Sequence, residues 1–287
     1  MSGAVLSRVY RAPALELRGR SFTWGARTYL MAIINETPDS FSGDGLGSDV
    51  EAAVALARRF ESEGADILDV GGESSRPGAT PLAVEQEIER VVPPIAAIRA
   101  ATTLPISVDT CHAAVAEAAI EAGANMVNDI WGLRHDPEMA SVIARHGAAL
   151  VAMHNQRGRP FRDVAGDIRE GWQATLHLAH RAGIDPVRVI LDPGFGFGWT
   201  PEQNLEMLRR LPELWDMEMP LLAGTSRKST LGLVIDAPVE DRLEATASSV
   251  ALSIAGGADI VRVHDVRAMC RVAKVADAVC RANWRAP

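Results

Sequence analysis

The sequence has few cysteines, no long apolar run and a deficit of positive charge. Its three cysteines, Cys111, Cys270 and Cys280, are odd in number and lack a paired spacing, which favours reduced thiols that act as small apolar side chains. No run reaches the ~18 apolar residues of a membrane span, and the N-terminus lacks the apolar core of a signal peptide. These absences predict a cytoplasmic protein that does not enter a membrane.

The charge balance limits the partners that the surface can attract. The chain has 29 Lys and Arg residues against 37 Asp and Glu residues, a net charge of -8. This excess of negative charge argues against a broad surface for nucleic acid or for anionic membranes. Any anionic ligand would therefore need a local pocket of positive charge.

The chain also lacks a linker or low-complexity segment that would divide it. With 287 residues, of which 47% are hydrophobic, it can bury a large core as one α/β domain. We predict a flexible N-terminus over residues 1–14 and a single domain over residues 15–287. Near its start, residues 15–23 and 27–30 flank Gly25-Ala26, a pattern that predicts a β-hairpin.

Short apolar runs then alternate with amphipathic stretches, as expected for right-handed βα units around a parallel sheet. The strand-like runs cover residues 30–35, 66–71, 105–109, 126–129, 149–154, 189–192, 221–224 and 260–264. The helical stretches cover residues 50–63, 81–100, 114–122, 139–146, 167–182, 201–210, 242–255 and 266–282. Eight units in roughly 250 residues predict a (β/α)8 TIM barrel with an N-terminal β-hairpin. An open doubly wound sheet is the alternative, because the pattern does not reveal whether the sheet closes.

Polar residues stand at the ends of these runs, where a parallel barrel builds its active site. Asp109, Asn128 and Asp192 supply carboxylate and amide groups suited to a nitrogen heterocycle, although such carboxylates also serve as acid and base or as metal ligands. A second set carries an amide and cationic groups that could hold a di- or triphosphate, directly or through Mg²⁺. Its members are Asn35, Arg76, Arg227, Lys228, Arg262 and His264.

One glycine-rich loop and the histidines complete the set of candidate site residues. The loop from Gly194 to Gly198 lacks a full phosphate-binding pattern, so it is either a plain turn or a close backbone approach in which Phe197 lines a planar ligand. His154 lies at a strand end like His264, but no third residue completes a metal site with both. The remaining histidines lie in predicted helices or their flanks, where surface or capping roles are favoured: His112, His135, His146, His177 and His180.

Taken in order, the motifs resemble those of the dihydropteroate synthase family. They are Asn35-Glu-Thr-Pro-Asp-Ser-Phe41, Asp69-Val-Gly-Gly-Glu-Ser-Ser-Arg-Pro-Gly78, Ser107-Val-Asp-Thr110, Asn128-Asp129, Leu191-Asp-Pro-Gly-Phe-Gly-Phe-Gly198, Ser226-Arg-Lys-Ser229 and Arg262-Val-His-Asp265. The resemblance implies a TIM barrel that condenses 6-hydroxymethyl-7,8-dihydropterin diphosphate with 4-aminobenzoate. The products would be dihydropteroate, a folate precursor, and diphosphate.

The same resemblance implies roles for individual residues. The pterin side would consist of Asp109, Asn128, Asp192, Lys228 and Arg262. The diphosphate side would consist of Asn35, Arg262 and His264, with Asn35 as a ligand of Mg²⁺. The aminobenzoate side would consist of Ser75, Arg76, Pro77, Phe197, Ser226 and Lys228. The residues expected to act in catalysis are Asp109, Lys228, Arg262 and His264, and the resemblance also implies a homodimer through the late barrel helices.

The sequence departs from the family pattern at four places: Glu36, the Gly43-Asp44 pair, Ser75 and Trp199. Glu36 would repel diphosphate if it faced inward, and would lie outside if the strand alternation continued past Asn35. A noncatalytic pterin-binding paralogue and a pterin-dependent methyltransferase therefore remain as alternatives. The Ser226-Arg-Lys-Ser229 motif favours the synthase over the methyltransferase.

Overall fold

The computed structural model describes residues 12–35, 50–72 and 82–285. Its main sheet has eight parallel strands: β3 (Tyr29–Asn35), β4 (Ile67–Gly71), β5 (Ile106–Asp109), β6 (Met126–Asp129), β7 (Ala149–Met153), β8 (Val189–Asp192), β9 (Leu222–Ala223) and β10 (Ile260–Val263). Their order in the sheet is β8-β7-β6-β5-β4-β3-β10-β9. A parallel bridge between Leu191 and Leu221 joins the two end strands. The sheet is therefore a closed TIM barrel, and the open doubly wound alternative is wrong.

The helices cover the outside of this barrel. They are α1 (Val50–Glu63), α2 (Val84–Ala101), α3 (Ala113–Glu121), α4 (Met139–His146), α5 (Val164–Ala182), α6 (Pro201–Arg210), α7 (Ser229–Ile235), α8 (Leu243–Ala255) and α9 (Val266–Cys280). All eight predicted helices are present, and α2 runs through Pro93 and Pro94 without a break. The short helix α7 was not predicted, because its seven residues are too few to show a helical period.

Side chains alternate between the two faces of each strand, and this alternation separates two cores. Outward residues such as Leu68 and Val70 pack against the helices in the larger core. Inward residues near the strand starts, such as Ile67 and Ile190, form the smaller core inside the barrel. The same inward faces carry polar residues near the strand ends, so one end of the barrel is apolar and the other is polar.

The hairpin closes the apolar end of the barrel. It pairs β1 (Leu15–Leu17) with β2 (Arg20–Phe22), and Phe22 and Trp24 pack with the inward barrel residues. The hairpin strands are joined at Arg18-Gly19, where both residues have positive φ, whereas the turn at Gly25-Ala26 follows the hairpin, so the predicted position of the hairpin turn is wrong. The flexible N-terminus predicted over residues 1–14 falls largely on residues 1–11, which lie outside the described residues.

Candidate active site

The polar end of the barrel collects inward side chains from neighbouring strands. Asp109 ends β5, Asn128 lies one residue before the end of β6, and Asp192 ends β8. The register of the sheet places Asp109 directly beside Asn128. Because the carboxyl ends of parallel strands meet at one rim, these residues share one site.

Arg262 on β10 is the cation at the centre of this site. Its Nε donates to Asp69 Oδ2 at 2.6 Å, and its Nη2 donates to Asp109 Oδ2 at 2.6 Å. Asn128 Nδ2 also donates to Asp69 Oδ2, at 3.1 Å. One guanidinium thus fixes two carboxylates, and one carboxylate orients the amide.

Asp69 is the functional residue that the sequence did not single out. It lies in the middle of β4, where it is completely buried. A carboxylate inside a short apolar run, Ile67-Leu68-Asp69-Val70, was the available signal, since such a group is buried only when it has a partner. Its partner, Arg262, is supplied by the last strand of the barrel and is therefore not apparent from local sequence.

Burial shifts the pKa values of the charged groups in this cluster. Burial raises the pKa of Asp109 to about 7, although the Arg262 charge opposes this rise. For Arg262 itself, burial lowers the pKa, but the negative charges of Asp69 and Asp109 outweigh burial and raise it. The guanidinium therefore remains charged. A ligand that donates hydrogen bonds to Asp109 would lower the pKa of this carboxyl group, because such bonds favour its ionised form.

Asp192 and Lys228 form the opposite side of the site. Burial raises the pKa of Asp192 to about 6, and the backbone N–H of Gly194, which donates to Asp192 Oδ1 at 2.7 Å, opposes this rise. Burial and the Arg262 charge lower the pKa of Lys228 to about 8, while Asp192 and Asp109 oppose this change. Strongly shifted groups in one concave site are typical of functional sites.

The loop from Gly194 to Gly198 approaches its neighbours too closely for side chains. A Cβ on Gly194 would overlap the carbonyl oxygen of His154, a Cβ on Gly198 would overlap the backbone of Arg157, and both glycines have positive φ. This approach positions Phe197, whose ring centre lies 4.1 Å from Lys228 Nζ. Of the two interpretations of this loop, close backbone approach fits the structure.

Ser226 holds the His264 side chain in place. The backbone N–H of His264 donates to Ser226 Oγ at 3.2 Å, and the same oxygen lies 2.9 Å from His264 Nδ1. The Ser226 hydroxyl can donate to Nδ1 or accept from it, and in both cases it fixes the orientation of the ring. Burial, followed by the Arg262 charge, lowers the pKa of His264 to about 3. Burial therefore favours a neutral imidazole at this position, whereas the sequence placed His264 among the cationic groups.

The remaining predicted residues divide between the rim and undescribed segments. Asn35 ends β3, and its Oδ1 lies near Gly71, which also adjoins Asp109. Arg227 forms a two-bond ion pair with Asp265, so its charge is already compensated. The other positions, Glu36, Gly43-Asp44, Glu73, Ser75, Arg76 and Pro77, lie outside the described residues.

His154 lies behind the rim and not in it. The side chain is 1% exposed and Nε2 lies 2.8 Å from Gln156 Oε1. Burial lowers the pKa of His154 to about 4. Its ring lies 5.5 Å from that of Trp199, so Trp199, which departs from the family pattern, is buried beside His154.

Comparison with known proteins defines the class to which this barrel and rim belong. A family described as pterin binding enzyme matches residues 31–264. The chain belongs to this family. A curated relative named dihydropteroate synthase, from Synechocystis sp., is 45% identical over 281 residues, which cover 95% of this chain and 97% of the relative.

Solved structures show the same similarity. A dihydropteroate synthase from Clostridium difficile, determined in the presence of pteroic acid, has a TM-score of 0.88 and 44% identity, and the match covers 91% of this chain and 99% of that one. A dihydropteroate synthase from Xanthomonas albilineans with 4-aminobenzoic acid also has a TM-score of 0.88, with 41% identity and coverage of 94% and 98%.

Proposed function

We propose that the chain condenses 6-hydroxymethyl-7,8-dihydropterin diphosphate with 4-aminobenzoate to form 7,8-dihydropteroate and diphosphate, a step of folate synthesis. The observation that carries this proposal is the convergence of Asp109, Asn128, Asp192, Lys228 and Arg262 on one rim. The relatives named as dihydropteroate synthases, with pteroic acid or 4-aminobenzoic acid in two structures, support the assignment.

A pterin has a planar ring with N–H and amino donors along one edge. Asp192 and Asp109 provide carboxylate acceptors, and Asn128 has its amide nitrogen engaged by Asp69, which leaves its oxygen to accept. Arg262 offers a planar guanidinium that can stack on the ring. Such hydrogen bonding favours the ionised form of each carboxylate, so ligand binding would reverse part of the pKa shift that burial causes.

The reaction needs stabilisation of two opposite charges. Cleavage of the bond between the methylene carbon and the diphosphate oxygen leaves a pterin cation and a diphosphate anion. Asp109 would offset the positive charge on the ring, while Arg262 and His264 would donate to the leaving group. The arylamine nitrogen then bonds to the methylene carbon and loses one proton, so no covalent enzyme intermediate is required.

The rim also fits a magnesium ion, because Asn35 presents an amide oxygen at the strand end beside Asp109. Mg²⁺ prefers oxygen ligands and usually combines one or two protein ligands with substrate phosphates. When bound, the ion would stabilise negative charge on the departing diphosphate. Asn35 and the diphosphate oxygens would hold it.

The second substrate would bind beside the Phe197 ring. Lys228 lies over this ring and is two residues after Ser226 in sequence, so a cation and a hydroxyl border an apolar surface. This combination suits an aromatic carboxylate. Ser75, Arg76 and Pro77 would complete this side.

A homodimer is part of the proposal. Exposed apolar side chains cluster on three successive helices at the end of the chain: Leu233, Val234 and Ile235 on α7, Leu252 on α8, and Val275 and Val279 on α9. Helices α8 and α9 are neighbours, as are α7 and α8. Apolar surface shared by adjacent helices is typical of an interface between subunits.

The compartment is the last part of the proposal. No helix in the described ranges is long and apolar enough to cross a membrane. We place the reaction in the cytoplasm, because the three cysteines form no disulfide there and reduced thiols suit a reducing compartment.

Complementation of a folate-synthesis mutant tests the proposed function. The wild-type chain should restore growth without added folate end products, and the Asp109→Ala variant should not. A protein that binds the pterin diphosphate but fails to complement would instead be a noncatalytic paralogue. A requirement for a methyl acceptor would indicate the methyltransferase.

A further inference from the structure

A second cluster of reactive side chains lies beside the pterin rim. Cys111 and His112 follow β5 directly after Asp109-Thr110, and His135 lies in the loop after β6. One donor atom from each of the three residues lies within 4.8 Å of the other two. The two imidazole rings lie 5.4 Å apart. Surface or capping roles were predicted for these histidines, because adjacent loops are brought together only when the barrel forms.

A buried carboxylate orients one of the histidines. Glu87 on α2 is only 1% exposed, and its Oε2 lies 2.7 Å from His112 Nδ1. This bond places the proton of a neutral ring on Nδ1 and leaves the lone pair on Nε2. A carboxylate that fixes the nitrogen opposite the ligand atom is the usual outer partner of a metal-binding histidine.

The Asp136 side chain also fixes the two loops to each other, and further contacts order each loop. Asp136, the residue after His135, accepts a hydrogen bond from Ala113 N at 2.8 Å. Thr110 Oγ1 accepts one from His112 N at 3.2 Å. The Trp131 ring stacks on His135 at 5.9 Å. The donor atoms are therefore held together before any ligand arrives, which reduces the ordering cost of binding.

We propose that Cys111, His112 and His135 form a binding site for a thiophilic divalent transition-metal ion of the Zn²⁺ class. One thiolate and two imidazoles are soft donors that suit Zn²⁺, whereas Mg²⁺ requires oxygen ligands. Three protein ligands leave a fourth position for water or an external ligand. The bound ion would link the segments that follow Asp109 and Asn128, and the site is independent of the proposed condensation.

Metal titration of the reduced, full-length protein tests the site. We expect one equivalent of Zn²⁺ by calorimetry, and one equivalent of Co²⁺ with the near-ultraviolet charge-transfer band of a thiolate ligand. The Cys111→Ser and His135→Ala variants should each lose this stoichiometric binding. Glu87→Gln should bind Zn²⁺ about 10- to 100-fold more weakly, because its proton-acceptor role toward His112 is weakened.

Matched variants distinguish this site from other donors on the chain. Cys280→Ser and His146→Ala should retain the wild-type stoichiometry and affinity, although His146 lies in a second group with Glu117 and Glu121. Zn²⁺ should raise the Tm of the wild type but not that of a folded Cys111→Ser protein, and circular dichroism checks folding. Absence of stoichiometric binding by the wild type, or binding that survives Cys111→Ser, would overturn the proposal.

Discussion

The guanidinium of Arg262 lies 2.6 Å from the carboxylate of Asp69, a contact between the last and the second strand of the barrel. Asp69 is completely buried, and the same oxygen accepts from the Asn128 amide. This carboxylate therefore holds two of the side chains assigned to the pterin. Its own part is positioning, because it acts through Arg262 and Asn128.

Replacement of Asp69 by Asn should destabilise the protein, because it leaves a buried guanidinium with one anionic partner fewer. We expect the free energy of unfolding to fall by about 3 kcal/mol, measured by urea denaturation. The matched Asp216→Asn variant breaks an ion pair whose carboxylate is 58% exposed and should cost less than about 1 kcal/mol. Equal losses in the two variants would contradict the positioning role.

Asp192 should make the folded protein less stable as pH rises, because burial raises its pKa from 3.8 to about 6. The folded state binds this proton more tightly than the unfolded state, so stability falls as pH rises through the window between these values. The Asp192→Asn variant lacks this penalty. Its free energy of unfolding relative to wild type should increase by about 1 kcal/mol between pH 5 and pH 7.5. A difference that does not change with pH would refute this account.

Lys228 should set the alkaline limit of activity, because its pKa is lowered to about 8. Loss of its charge should reduce kcat/KM about tenfold for each pH unit above that value. The Lys228→Arg variant should be slower, since the two cations differ in shape, but its kcat/KM should not fall between pH 8 and pH 10. An alkaline fall that persists in this variant would assign the limit to another group.

The proposed homodimer can be tested at the exposed apolar side chains of the late helices. Leu252 is 60% exposed on α8 and Val275 is 67% exposed on α9. The Leu252→Glu and Val275→Glu variants should elute as monomers in size-exclusion chromatography with light scattering, because charge on an apolar interface is costly. Phe161→Glu, at a side chain 49% exposed before α5, should leave the dimer intact. A wild-type monomer at micromolar concentration would rule out this interface.

The sequence predicted the parts of the fold that depend on local pattern. The eight strands were visible because each is a short apolar run, and residues such as Asp109 and Asp192 stood out because they end those runs. The hairpin turn was misplaced because Gly25 gave a stronger turn signal than Arg18-Gly19. Contacts made by barrel closure, such as that between Asp69 and Arg262, have no local signature.

The contacts of the histidines also have no local signature in the sequence. The orientation of His264 depends on Ser226, which is supplied by the neighbouring loop. The proximity of His112 and His135 depends on the pairing of β5 with β6. Sequence pattern identifies which side chains lie at strand ends, whereas protonation and ligand sets follow from which loops those strands bring together.

The most direct test is a product assay with the purified protein, Mg²⁺, 6-hydroxymethyl-7,8-dihydropterin diphosphate and 4-aminobenzoate. We predict one dihydropteroate for each diphosphate released, and a decrease in kcat of about 100-fold or more in each of Asp109→Ala and Lys228→Ala. Binding of the pterin diphosphate without product, or near-wild-type turnover in either variant, would contradict the proposed active site.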